Sequence, residues 1–183
     1  MRETFDEYYY GIKWLEEKLR MMDRRIEEIA LSEPYAEGVK KLRCFKGVDY
    51  LTAVSLLCEV GDFKRFRSAE AFMAFLGLVP GEHSSGSRRR RRGITKSGNT
   101  HLRKLLIEAS WHYRYKSAPG RRLTERRYGQ PAELIVYADR AMRRLQAKFF
   151  KLVLLGKSSQ TAVTAVAREL SGFIWGMMVG QTA

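Results

Sequence analysis

The sequence predicts an all-α protein: a long N-terminal coiled-coil helix, then a compact helical domain with a helix-hairpin-helix-like element and a long basic loop. Two patterns predict it. Apolar residues recur at Phe5, Tyr8, Ile12, Leu15, Leu19, Met22, Ile26 and Ile29, a three-four spacing that keeps a narrow stripe on one side of a helix. Stripes of helical period return at Leu134, Ala138, Met142, Leu145, Phe149 and Leu152, and again between Ala162 and Trp175. No stretch shows the apolar-polar alternation of a half-buried strand.

Residues 1–33 form the coiled-coil helix and residues 34–183 the helical domain. Charged side chains such as Glu16, Glu17, Arg24 and Arg25 fill the other faces of the first helix. So narrow a stripe suits a seam against a second copy or another helix of the chain; an ordinary amphipathic helix packed on the domain is the alternative. Pro34 stops the helix, because the residue before a proline is pushed out of the helical region.

Short helices follow. Val39, Leu42 and Phe45 make an apolar stripe, and a second helix spans Leu51 to Val60. Between them, Gly47-Val48 followed by Thr52-Ala53 is similar to a helix-hairpin-helix, whose backbone N–H groups hold a DNA phosphate. Gly47 is the phosphate-contact residue on that reading. Asp49 stands where a second glycine is usual, and its carboxylate opposes an anion; a purely structural turn is the alternative. Gly61 suits a helix C-terminus, and Ser68 an N-cap.

The segment 77–100 breaks the helical pattern with Gly, Pro and Ser. Arg88, Arg89, Arg90, Arg91 and Arg92 are consecutive, and Ser84 to Lys104 holds eight Lys/Arg and no Asp or Glu. Its glycines would let a phosphodiester approach the backbone closely. Asn99 or Thr100 caps the next helix, whose Arg103 and Lys104 extend the basic surface; Lys96 belongs to it too. Residues 117–130 are a loop or short helix. Pro131 starts a long helix that Gly156 ends, and Ser158 or Ser159 caps the last one.

A net charge of +14 points to a polyanionic partner, nucleic acid before an acidic membrane surface. No apolar run approaches a membrane span, and the opening MRETFDEYYY lacks a signal peptide's apolar segment. Cys44 and Cys58 sit in apolar contexts and read as two buried thiols in a reducing cytoplasm, with a structural disulfide between them as the alternative. No metal site is expected, since His101 and His112 stand apart from any Asp, Glu or Cys cluster.

Several stretches resemble one family in order: Lys46-Gly47-Val48, Glu59 to Phe66, Leu76-Gly77-Leu78-Val79-Pro80, Ser84-Ser85-Gly86, the arginine run, Ile94 to Asn99, Leu102 to Leu106, and Ala165 to Leu170 with Trp175. The family is that of insertion-sequence transposases related to the Piv pilin-gene invertase, with a DEDD-type catalytic domain. The resemblance covers roughly residues 38 to 178. It implies an enzyme of two parts: a RuvC-like domain with four acidic metal ligands, and, after a coiled coil, a transposase domain with an essential serine. Only the second part is matched, so the chain reads as a fragment, a truncated copy or one piece of a split system. Carried over, the nucleophile is Ser85, with Ser84 as second choice. No cofactor is expected in this chain, and Mg²⁺ is expected in the absent RuvC-like domain. The implied partners are DNA, a structured guide RNA, and further copies of the chain through the N-terminal helix, as a dimer or, in the active complex, a tetramer. The implied setting is the cytoplasm at the nucleoid, with no membrane. A non-catalytic helical nucleic-acid-binding module is the competing reading.

Overall fold

The computed structural model describes residues 2–85 and 88–182; the side chains of residues 82–92 lie outside that description. Eight helices and one two-stranded ribbon are found among the described residues, in agreement with the all-α expectation. Helix α1 (Arg2–Leu31) buries only Ala30. Its C-terminal end packs on α2 (Ala36–Leu42) and α3 (Tyr50–Val60). The seam from Phe5 to Met22 is exposed along its length, so the helix is not packed on the domain as an ordinary amphipathic helix would be.

The domain core is built around α8 (Ser159–Val179), which packs on α2, α4 (Ala69–Phe75), α5 (Thr100–Ser110) and α7 (Ala132–Leu154). By length and composition alone α8 could cross a membrane. Its apolar positions, among them Val163, Val166, Leu170 and Ile174, are instead buried in this core, and burying them drives the packing. Small residues set the helix separations: a Cβ on Gly172 would meet the Met73 side chain at 2.7 Å. Phe63, Phe66, Phe72 and Phe75 form an aromatic cluster under α4. Trp175 closes it by donating its indole N–H to the Phe63 carbonyl at 3.2 Å.

The helix ends follow the local chemistry. Asp49, Ser68, Asn99 and Ser158 each accept a hydrogen bond from the first turn of their helices, satisfying N–H groups the helix leaves orphaned. Two expectations need correction. Cys44 is buried, but Cys58 is exposed, and both thiols are free. The long basic loop is not a loop: β1 (Pro80–Ser85) and β2 (Arg88–Ile94) pair antiparallel. Arginine and serine carry no apolar alternation, so the hydrophobic pattern could not announce these strands. Residues 121–126, read as loop or short helix, are helix α6 (Arg121–Arg126).

Candidate nucleic-acid interface

The ribbon's register sets Ser84 opposite Arg89 and Ser85 opposite Arg88, with His83 opposite Arg90 and Glu82 opposite Arg91. Pro80 pairs with Ile94, so Arg92 and Gly93 together face Gly81: a bulge, which bends and twists such a ribbon. The side chains of Ser84, Ser85 and Arg88 to Arg92 lie outside the described residues, as do Gly86 and Ser87 altogether. What the fold does fix is the base on which they stand.

That base is zipped shut by backbone. Thr95 donates to the Val79 carbonyl at 2.9 Å, Lys96 to Gly77 at 3.1 Å, and Asn99 to Phe75 at 2.9 Å. The two legs approach so closely that only glycine fits between them. Gly77 has φ 67° and a Cβ there would sit 2.5 Å from the Ser97 carbonyl oxygen; Gly98 has φ 128° and would meet the Phe75 carbonyl oxygen at 2.3 Å. These glycines serve the chain's own crossing rather than close approach of a phosphodiester. Lys96, exposed, takes a left-handed φ of 58° in the same turn, a conformation costly for any residue with a Cβ.

Arg103, expected on the basic surface, is buried. Its guanidinium donates to the Leu76 carbonyl at 2.9 Å and to Thr100 Oγ1 at 3.1 Å, tying α5 to the leg before the ribbon. Asn99 is spent likewise: its Oδ1 caps α5 through Leu102 N–H at 2.9 Å, and its Nδ2 donates to Glu59 Oε2 at 2.6 Å. Glu59 Oε1 lies 2.5 Å from His101 Nδ1. Burial works to raise the Glu59 carboxyl, but the hydrogen bonds from Asn99 and His101 outweigh it and hold it below the usual carboxylate range. This Glu59–Asn99–His101 cluster was not legible in the sequence, because forty residues separate its members and only the α3–α5 packing joins them. Lys96 and Lys104 remain exposed beside it.

The hairpin at Gly47 lies at the other end of α5. Gly47 has φ 86°, and a Cβ would fall 2.2 Å from the Ala109 carbonyl oxygen, so glycine is demanded by packing on α5. Asp49 accepts from Thr52 N–H at 2.8 Å. Its own carboxylate thus occupies the α3 N-terminus that a phosphate would need.

Residues 39–125 match the transposase IS116/IS110/IS902 family. The chain is 41% identical over 177 residues to a protein of Sinorhizobium fredii (strain NBRC 101917 / NGR234) named "Putative transposase y4qE", covering 90% of this chain and 45% of that protein. It is 41% identical over 153 residues to the transposase for insertion sequence element IS1533 of Leptospira borgpetersenii, covering 83% of this chain and 44% of that one. It is 40% identical over 84 residues to the transposase for insertion sequence element IS1111A of Coxiella burnetii (strain RSA 493 / Nine Mile phase I), covering 46% and 23%. The chain therefore spans less than half the length of these relatives. The Gly47 hairpin, the Glu59 cluster and the whole ribbon fall inside residues 39–125, and this part of the chain is a transposase domain of the IS116/IS110/IS902 family.

Proposed function

We propose that this chain is the nucleic-acid-handling part of a DNA transposase. The β1–β2 ribbon presents Arg88 to Arg92 to a phosphodiester backbone, and Ser85, with Ser84 as second choice, attacks the scissile phosphate. The observation that carries the reading is the ribbon itself: an unbroken arginine strand paired with a serine-bearing one, inside the family span.

In the step, Ser85 Oγ forms a bond to phosphorus as the bond from phosphorus to the sugar oxygen breaks. The serine proton passes to a base or to water, and the leaving sugar oxygen takes up a proton to end as a hydroxyl. A serine at its ordinary pKa is a weak nucleophile and needs activation; arginines stabilise the charge that builds on the phosphate oxygens. Among the described residues no three His, Cys, Asp or Glu side chains gather in a way that could hold a metal ion. The Mg²⁺ that would activate the serine is held, on this reading, by a RuvC-like acidic domain acting with this chain, and the chain by itself binds DNA without cutting it. The exposed α1 seam, with Leu15 and Leu19 more than half exposed, pairs with a second copy, and two such dimers make the active complex. A structured guide RNA is the second polyanion the basic surface serves, in the cytoplasm at the nucleoid.

The test combines the chain with a RuvC-like partner and end-labelled insertion-sequence DNA, then looks for a protein–DNA adduct on a denaturing gel. Ser85→Ala should abolish the adduct and leave DNA binding intact. An undiminished adduct from both Ser85→Ala and Ser84→Ala would sink the serine mechanism. No adduct from the wild type with DNA still bound would favour the non-catalytic binding module. Light scattering should give a dimer for the chain, and Leu15→Asp with Leu19→Asp a monomer.

A further inference from the structure

A second feature, away from the ribbon, is a cavity walled by described residues. It is an open hollow of about 1140 Å³ where the α2–α3 hairpin, His112 beyond the end of α5, and residues 120–130 around α6 meet. Helix α5 has eleven residues, so at ~1.5 Å per residue the cavity lies roughly 16 Å from the ribbon base at Asn99.

Its walls are cationic. Lys40, Arg43, Lys46, Arg121, Arg122 and Arg126 line it, against Asp49 and Glu125. Both acids are already engaged: Asp49 caps α3, and Glu125 accepts from Arg121 Nε at 2.8 Å. Among the described residues, no carboxylate pairs with Lys40, Arg43, Lys46, Arg122 or Arg126. The guanidiniums are held in place by other means. Arg126 Nη1 donates to the Val48 carbonyl at 2.8 Å, and Arg43 stacks on the Tyr50 ring at 3.4 Å. The Nε groups of both are buried with no partner, an arrangement that costs energy until an acceptor arrives. Burial, then the neighbouring Arg43, lowers the pKa of Arg126, a sign of the crowding of positive charge.

Two further features narrow the ligand. The volume exceeds the ~300–1,000 Å³ usual for a small-molecule site, so the hollow takes more than one small anion. Tyr128, 92% exposed, stands at its edge as a bare aromatic face. Cations that track a backbone, together with an aromatic on which bases stack, are what single-stranded nucleic acid needs; a duplex keeps its bases inside.

We infer that this cavity binds a single-stranded nucleic-acid segment, with phosphates at Arg43, Lys46 and Arg126 and a base stacked on Tyr128. It would be a second site, distinct from the ribbon, and it does not depend on the serine mechanism.

The test uses the full chain and three fluorescent probes of equal length, oligo-dT, oligo-rU and a DNA duplex, in anisotropy titrations. Tyr128→Ala and Arg122→Glu alter exposed side chains that the fold does not rest on. Each should weaken single-strand binding, the tyrosine change by about 5- to 150-fold, and leave duplex binding within about twofold. Replacing Arg88 to Arg92 by Ala should do the reverse. Loss confined to oligo-dT identifies DNA as the natural strand, and loss confined to oligo-rU identifies RNA. Unchanged binding of both strands by Tyr128→Ala and Arg122→Glu would overturn the site, as would an equal loss on strand and duplex.

Discussion

The ribbon and the cavity, at opposite ends of α5, are both strongly basic, and they became so in different ways. The ribbon's charge is consecutive in the chain, carried by Arg88 to Arg92 on a strand joined to a base locked by Gly77 and Gly98. The cavity's charge is assembled by folding, from the α2–α3 hairpin and α6, some eighty residues apart, with its acids consumed by a helix cap and an ion pair. Charge dense along one strand suits a regular phosphate ladder, which is bound without regard to sequence. Charge converging on a concave wall with an exposed tyrosine suits an irregular strand.

The largest effect that would sharpen this contrast is on duplex binding. Each phosphate contact adds about 0.9 to the slope of log affinity against log salt. Replacing all five ribbon arginines by Ala should therefore flatten the duplex slope by up to about 4 and weaken binding by roughly a thousandfold near physiological salt. Titrations at two or more salt concentrations measure both. An unchanged slope would break the comparison, because the ribbon would then not be the phosphate ladder.

Next comes the support beneath the cavity. Arg127, beside Arg126, is 4% exposed; it donates to the Cys44 carbonyl at 2.9 Å and to Asp139 Oδ1 at 2.7 Å. Asp139→Ala leaves that buried guanidinium without its counter-charge and should cost about 3 kcal/mol in a denaturant melt. Because Arg127 fixes the hairpin that bears Arg43 and Lys46, single-strand binding should weaken before duplex binding does. A loss of stability with both binding modes unmoved would show that the hairpin holds its shape without this pair.

How much of this was readable beforehand differs between the two regions for a physical reason. The helices were legible because apolar period reports burial: Leu134 to Leu152 and Ala162 to Trp175 predicted α7 and α8 closely. The ribbon's chemistry was legible from its composition, but its strands were not, since backbone pairing of Ser and Arg residues leaves no apolar trace. Arg103 was misjudged because a guanidinium bonded to a carbonyl looks, in sequence, like any surface arginine. The cavity was invisible for the same reason: Arg121, Arg122 and Arg126 read as a mixed charged stretch until α6 brings them against the hairpin.

A third, smaller effect separates fold stability from both sites. Glu169 on α8 pairs with Arg144 and, at 2.5 Å, with Lys148 on α7. Burial pushes its carboxyl up, but the hydrogen bonds from Arg144 and Lys148 prevail and hold it below the usual range. Its contribution is thus complete above the unfolded value of 4.5 and fades as pH falls through the lower folded value. Glu169→Gln should cost about 1–2 kcal/mol at pH 7, and the difference from wild type should shrink below about pH 4. Neither duplex nor single-strand affinity should follow, because Glu169, Arg144 and Lys148 neither line the cavity nor belong to the ribbon. A difference that grew on acidification would mean the carboxyl is raised rather than lowered.

The smallest effect has the opposite sign. The Tyr113 hydroxyl is fully buried with no partner among the described residues, near Arg126 and Arg127, and burial pushes its pKa far up. A buried hydroxyl left unsatisfied opposes folding, whereas a ring of the same shape without it does not. Tyr113→Phe should therefore leave stability unchanged or raise it by up to about 1 kcal/mol, read as a higher denaturant midpoint at the same slope. A variant that lost stability would mean that the hydroxyl already has a partner in the folded chain.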